Sequence, residues 1–480
     1  MKQLVTTIIL FFGFIFSQAQ ENKCVLDFEF IVQKIKNDYP GYIDKVTKEN
    51  IDTLKTLESE IREKIMKHPD SCFTYLNDYT AWFKDYHLRV ADNRNSPKNV
   101  KKDTYAKTYA EYNLDSIVQK TKTVEGIWLG FRGSFVIKKD NEKYIGISID
   151  VAGYEKNQII FEAIYKDNNE FELTTYRNYR GFKPRQEKAS LLLNGAVFEI
   201  HNDTRFVRKT SDKKGDMAFL LSYIPKYPNS SNTYPVALSL NDSTFYVRAP
   251  SFYSSTANDL VEKYWNEITT RPNLIVDIRN NGGGQDDYYE KLAQLIYTNS
   301  YESKGVEWYA TKGIINDREY AIKNAQIKEG GQEWSKALVD KMKKNIGEFI
   351  IHPYDKGDVT IERDTIYNNP KKVGVIINGG NASSAEQFLL TAKNSSKVIL
   401  FGNENTAGIL DYSNITPKES PSGNYHLWLP ATRSWRLPEN PIDNVGIAPD
   451  VYIPLTPTSQ LYDRLDDWVY FVKNYLEYKK

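Results

Sequence analysis

"LIVDIRNNGGG", Leu274 to Gly284, carries an apolar run straight into three consecutive glycines. A strand without polar alternation is one buried on both faces, as in a parallel sheet covered by helices. Glycines directly after such a strand let the backbone approach a neighbour or ligand closely. By itself the segment is a tight strand-to-helix turn. It is not a phosphate loop, because no Gly-Lys-Ser/Thr follows.

The flanking sequence repeats the alternation. "TFYVRAP" (244–250) reads as a strand and "ANDLVEKYWNEIT" (257–269) as a helix. "DDYYEKLAQLIYT" (286–298) is helical, "KVGVIING" (372–379) and "KVILFGN" (397–403) are strands, and "SQLYDRLDDWVYFVKNYLEY" (459–478) is a closing helix. Strands alternating with helices predict an α/β core with a largely parallel sheet.

Between two of those strands lies "NGGNASSAEQFLLTAK", Asn378 to Lys393. Ala385, Phe388, Leu389 and Ala392 share one helical face. Ser383 stands three residues before Glu386, the spacing of a capping box. A serine at a helix start is usually only a cap. The same geometry also offers a hydroxyl beside free N–H groups and the positive end of the helix dipole, where an oxyanion is favoured. Cap and nucleophile are not separable on this stretch alone.

Taken together, "LIVDIRNNGGG", "NASSAEQF", "FGNENTAG" (401–408) and "NVGIAPDVYIPL" (444–455) resemble, in order, the segments of the tail-specific (C-terminal processing) serine proteases, a family that includes the tricorn core protease. The resemblance implies a crotonase/Clp-protease-like ββα spiral core and peptide-bond hydrolysis by a serine nucleophile, with neither metal nor organic cofactor. It makes Ser383 the nucleophile. The Ser384 N–H and a glycine of the run, Gly282 or Gly283, become oxyanion donors.

One branch of the family carries a lysine base directly after "T-x-G"; here Ile409 holds that position. Lys393 and Lys397, on or beyond the serine helix, are poorly placed to reach back to its start. The tricorn-like branch uses histidine, and His87 in "WFKDYHLRV" resembles its "D-x-H" segment. Imidazole titrates near neutrality and suits a general base. His426, in "NYHLWLP" after the "TAG" loop, is the alternative. For the acid that orients the imidazole, the resemblance points to Asp443, with Glu439 four residues earlier and Asp85 as a local option. Many members carry a PDZ module that adds a substrate tail to a sheet edge; "GIWLGF", Gly126 to Phe131, is the one carboxylate-loop candidate here. The family also contains non-catalytic relatives, so a peptide- or ligand-binding protein on a vestigial protease fold is the second reading.

The rest of the chain divides by texture: 1–19 as a signal peptide, 20–99 helical, 100–235 β-rich, 236–455 the protease core and 456–480 a C-terminal helix. "MKQLVTTIILFFGFIFSQAQENK" has Lys2, an apolar stretch too short to span a bilayer and a small-residue boundary, as secretory leaders do. Export to the periplasm or beyond is expected, and it would permit a disulfide between the two cysteines, Cys24 and Cys72. Sixty-three basic against 62 acidic side chains, in 480 residues, give no surplus for nucleic acid or anionic membranes. The expected partner is a polypeptide substrate.

Overall fold

The computed structural model describes residues 23–93, 107–114, 117, 123–130, 133–176, 182, 184–192, 195–200, 204–209, 236–324, 327, 331–355, 357–453, 461–462 and 465–478. The expected leader, 1–19, lies outside them. Among the described residues no helix is long and apolar enough to cross a membrane.

The core is a six-stranded sheet. Val236–Ser239 pairs antiparallel with Thr244–Arg248; then Asn273–Asp277, Lys372–Ile376, Val398–Gly402 and Val451–Tyr452 follow side by side, all parallel. Both faces are covered, which explains the unbroken apolar runs. One face meets Thr256–Lys263, Glu290–Ile296 and the serine helix Ser384–Lys393, whose Ala385, Phe388, Leu389 and Ala392 are fully buried. The other face meets Trp468, Val469, Val472 and Leu476 of the last helix and the outer wall of the middle module. This α/β core with its two flanking regions is the crotonase/Clp-protease-like class implied by the motifs. The last helix spans Asp467–Tyr478, shorter than its periodicity suggests, because Leu461–Tyr462 and Leu465–Asp466 pair as a small hairpin ahead of it.

The β-rich module is a closed barrel of eight antiparallel strands from Gly126 to Arg208. Its interior is filled by Trp128, Phe135, Phe161, Phe171, Phe198 and their aliphatic neighbours. Closure removes the open edge on which a PDZ domain takes its ligand. Of the carboxylate-loop candidate 126–131, Gly126–Gly130 is a barrel strand paired on both sides, and residue 131 lies outside the described residues.

At the N-terminus, Lys23–Asp38 buries Phe28, Ile31, Val32 and Ile35, and Ile51–Lys67 buries Leu54, Ile61 and Ile65. Both follow the three-and-four spacing of one helical face. Helix Cys72–Ala81 starts after Ser71, whose side chain makes no cap bond. These helices pack on Tyr412, Tyr425, Leu427 and Leu429, which belong to the core segment, and the strand Arg89–Asp92 pairs antiparallel with Tyr425–Trp428. Cys24 and Cys72 form a disulfide across a sequence separation of 48. A closed loop of that length stabilises by about 4 kcal/mol in the chain-entropy account. Reduction, or Cys24→Ser with Cys72→Ser, is therefore expected to lower the urea midpoint of the N-terminal layer. An unchanged midpoint in reductant would show that the loop closure contributes nothing.

Candidate active site

Three loops leave the carboxyl ends of three neighbouring parallel strands: 278–285 after Asn273–Asp277, 377–383 after Lys372–Ile376 and 403–411 after Val398–Gly402. Such ends are where open α/β sheets hold ligands. The first strand is anchored by Asp277, fully buried, whose Oδ2 accepts from Arg248 Nη1 at 2.7 Å, Arg279 Nη2 at 2.6 Å and the Tyr246 hydroxyl at 2.9 Å. Burial would raise this carboxyl, but the two guanidiniums hold it well below the usual range.

Two fully buried asparagines then tie the loops together. Asn281 donates to the Ala249 carbonyl at 2.8 Å and accepts the Gly283 N–H at 2.9 Å. Asn381 accepts the Asn378 N–H at 2.8 Å and donates to the Ile278 carbonyl, and Ala382 N–H donates to the Asn281 carbonyl at 3.2 Å. The glycine run is thereby pressed against the serines. A Cβ on Gly283 would lie 2.7 Å from the Ala382 carbonyl oxygen, 2.7 Å from Ser383 Cβ and 2.8 Å from the Ser384 nitrogen. Only glycine fits there, at φ +96°. Because its N–H is spent on Asn281, Gly283 is corrected from oxyanion donor to close-approach spacer. The N–H groups of Gly282 and Ser384 have no acceptor among the described residues, and Gly282 opens onto free space.

Ser383 is half-buried at the start of its helix with φ 57° and ψ −126°. A non-glycine residue held there stores strain that the surroundings must over-determine, a pattern concentrated at functional sites. The restraints are visible. Its N–H donates to the Ile409 carbonyl at 2.9 Å and to Glu386 Oε2 at 3.2 Å. Both halves of the capping box are in place, the hydroxyl facing the Glu386 N–H without a full cap hydrogen bond. Glu386, fully buried, also accepts from Thr406 Oγ1 at 2.6 Å, Gly408 N–H at 2.8 Å and Ile409 N–H at 2.9 Å. Burial raises its pKa, and these donors pull it back. Ser384, by contrast, turns a buried hydroxyl toward Asp286.

His87 reaches the same 409–412 segment from the N-terminal layer. Its Nδ1 lies 2.5 Å from the Tyr412 carbonyl. A carbonyl only accepts, so Nδ1 carries the proton and Nε2 of the neutral ring presents its lone pair. Burial pushes the imidazole below its ordinary value, while the Tyr412 carbonyl and Asp443 act in the opposite direction. Ser383 and His87 therefore hang on carbonyls three residues apart, no more than about 11 Å of extended chain. No hydrogen bond joins the Ser383 hydroxyl to the imidazole among the described residues. His426 is half-buried on the strand Tyr425–Leu429, opposite Ala91 and Glu419.

The acids differ from expectation. Glu439 is exposed and makes no ion pair among the described residues, so it is not part of the constellation. Asp85 holds the His87 backbone, accepting its N–H at 2.9 Å and the Tyr39 hydroxyl at 2.7 Å, rather than the ring. Asp443 is buried; its Oδ1 accepts the Leu410 and Asp411 N–H groups at 2.7 and 2.8 Å, and its Oδ2 has no partner. Burial, then the nearby Asp85, pushes its carboxyl up to about 6. The imidazole is oriented by a backbone carbonyl, which no side-chain pattern announces. Asn281 and Asn381 are also missed from sequence, although "RNNGGG" and "NGGNASS" contain them. Next to this segment a cavity of about 700 Å³ is lined by Lys45, Tyr412, Arg433, Trp435 and Leu437 among others.

Residues 243–453 match the model of peptidase family S41. No curated protein sequence matches the chain. Among solved structures, mature CPAF aligns over 95% of this chain and 97% of its own, with 12% identity and a TM-score of 0.49. The photosystem II D1 C-terminal processing protease aligns over 90% and 93%, with 12% identity and a TM-score of 0.36. A candidate peptidase from Parabacteroides merdae aligns over 51% of this chain and 65% of its own, with 15% identity and a TM-score of 0.35. This chain thus spans less than two thirds of that last protein.

Gly283→Ala tests the packing of the two loops. The added methyl forces Gly283 away from Ser383, and a shift near 1 Å at a reacting centre costs on the order of 100-fold in rate. Labelling by a fluorophosphonate is expected to slow by that factor in a protein that still unfolds cooperatively. Labelling at the wild-type rate would show that the close approach is unimportant.

Proposed function

We propose that this chain, a serine protease of peptidase family S41 through its 243–453 core, is an exported endopeptidase that works with a histidine base in place of lysine. Ser383 Oγ attacks the peptide carbonyl and passes its proton to His87 Nε2. The oxyanion is met by the N–H groups of Gly282 and Ser384. His87 then protonates the leaving amine, and water, deprotonated by the same nitrogen, releases the acyl group and restores Ser383.

The observation that carries this reading is the paired suspension of Ser383 and His87 on one short segment, through the Ile409 and Tyr412 carbonyls. The strained φ of Ser383 and the uncommitted N–H groups support it. Closure of the serine–imidazole bond belongs to the substrate complex, since catalytic hydrogen bonds are often long before substrate arrives. The disulfide supports export, because such bonds persist in oxidising compartments. Preference for C-terminal tails is not part of the proposal, as the middle module is a closed barrel.

Ser383→Ala is expected to abolish fluorophosphonate labelling and peptide hydrolysis, while Ser384→Ala keeps labelling. His87→Gln is expected to slow acylation by 10²- to 10⁴-fold, the usual contribution of a general base. His426→Gln should leave the rate within a few-fold; the reverse pattern would move the base to His426. The open Ser383–His87 gap and Ile409 favour a second reading, a peptide-binding protein that does not cut. Failure of the wild type to label or cleave any member of a peptide library would select it.

The pH profile follows from the direction of the His87 shift. Burial lowers its pKa, so the neutral, proton-accepting ring persists below the ordinary value of about 6.5. The acid limb of kcat/KM is therefore expected to fall off below pH 6.5, with activity lost as pH drops through it. A limb centred well above 7 would fit a lysine or amine base instead.

A further inference from the structure

Almost every arginine described here has an acceptor. Arg62 pairs with Glu29, Arg248 and Arg279 with Asp277, Arg363 with Glu290, Arg433 with Asp44 and Glu307, and Arg436 with Asp411. Arg185 faces Glu187, and Arg89, Arg208 and Arg271 donate to backbone carbonyls. Arg318, on helix Lys312–Lys323, is the exception. It makes no hydrogen bond and no ion pair among the described residues.

Arg318 is nevertheless built into place. Its guanidinium lies 4.7 Å from the Trp308 ring centre and 5.9 Å from that of Trp334. The two indoles meet edge to face at 5.9 Å. Trp334 is locked by His352, stacked on it at 3.8 Å, whose Nε2–H donates to the Trp334 carbonyl at 3.0 Å and whose Nδ1 accepts the Tyr354 N–H at 3.1 Å. The half-buried cation is held below its ordinary pKa by burial, yet none of its nitrogens is sealed from solvent. A flat fork walled by indoles, with its donors open, is the geometry that receives a carboxylate edge-on in two parallel bonds.

The neighbouring charges narrow the ligand. Asp317 pairs with Lys418, and Glu319 with Lys343 at 2.5 Å, so neither occupies Arg318 and neither lysine adds to it. One positive charge suits one carboxylate rather than a phosphate dianion or a nucleic-acid backbone. The position is separate from the serine site. Along strand Val306–Tyr309, Glu307 turns to Arg433 and the cavity beside Tyr412, whereas Trp308 turns to the opposite face, toward the helices 312–323 and 331–344.

We propose that Arg318, with Trp308 and Trp334, forms a second binding site that takes a carboxylate of a peptide, at the chain terminus or on an acidic side chain. That the ligand is a peptide rests on the peptidase reading; the carboxylate chemistry of the site does not.

The test uses full-length protein carrying Ser383→Ala, so that cleavage plays no part. Tryptophan fluorescence and calorimetry would follow titration with an N-acetylated hexapeptide bearing a free C-terminal carboxylate, with its neutral C-terminal amide, with an amide carrying one internal glutamate, and with sodium acetate. The acid peptide or the glutamate peptide is expected to bind at least tenfold tighter than the neutral amide, the tighter of the two identifying the source. Arg318→Gln should remove that margin, and Arg318→Lys should keep part of it, having the charge without the fork. Equal binding of acid and neutral peptides by the Ser383→Ala protein overturns the site without any reliance on a variant at Arg318. Acetate binding as tightly as the peptides overturns the peptide assignment. Failure of the wild type to hydrolyse peptides would undo the peptidase reading while leaving the carboxylate dependence as measured.

Discussion

The Glu386 carboxylate is the constraint on which the serine site depends. It is fully buried, and its two oxygens gather four donors, the Thr406 hydroxyl and the N–H groups of Gly408, Ile409 and Ser383. A buried carboxylate is costly unless it is saturated with hydrogen bonds, so these four groups cannot drift apart independently. One side chain therefore fixes the start of the serine helix and the 406–409 loop to each other. The residue that a helix needs as a cap is here a clamp between two loops, and the strained conformation of Ser383 is sustained because both ends of the clamp hold it.

The glycine loop is fixed by a different device of the same kind. Asp277 sits between two guanidiniums at the end of its strand, and removing one member of such a buried set costs on the order of 3–5 kcal/mol. Beyond it, Asn281 and Asn381 replace secondary structure where the strands have ended. Their amides satisfy backbone groups of both loops, as buried polar groups must be satisfied. The N–H groups of Gly282 and Ser384 are among those that this frame leaves without an acceptor in the described residues. In the proposed mechanism the oxyanion hole would be a remainder of the local hydrogen-bond account.

Local physics explains what could be read from the sequence. The strand-helix alternation, the serine helix and the glycine run are encoded by neighbours along the chain, through apolar periodicity and the need for a residue without a Cβ. Ser383 and the 274–284 loop are legible for that reason. His87 is legible only through its likeness to a family segment, because its partner lies 325 positions away and is a backbone carbonyl. Glu439 and Asp443 rest on analogy with a triad; Glu439 is exposed, whereas Asp443 is buried, gives one oxygen to the Leu410 and Asp411 amides and acts on His87 through its charge. The barrel's closure was equally hidden, since strand content does not reveal whether the first and last strands meet. The short strands Leu461–Tyr462 and Leu465–Asp466 ahead of the last helix are hidden by a helical period in the sequence around them.

The proposed histidine base would make the N-terminal layer part of the catalytic machinery. His87 stands between helix Cys72–Ala81 and strand Arg89–Asp92, and both are docked on the hairpin that follows Tyr412. The disulfide ties helix Lys23–Asp38 to helix Cys72–Ala81, Asp85 and Tyr39 hold the turn from within, and Asn444 donates to the Lys84 carbonyl from the core side at 2.6 Å. A lysine on the 406–409 loop would need none of this, because Glu386 already fixes that loop to the serine. With Ile409 in its place and His87 as the proposed base, the geometry of proton transfer would depend on an interface between two regions of the chain. Its precision then rests on aromatic packing around Tyr39, Phe83 and Tyr412 rather than on the loop that carries the substituted position.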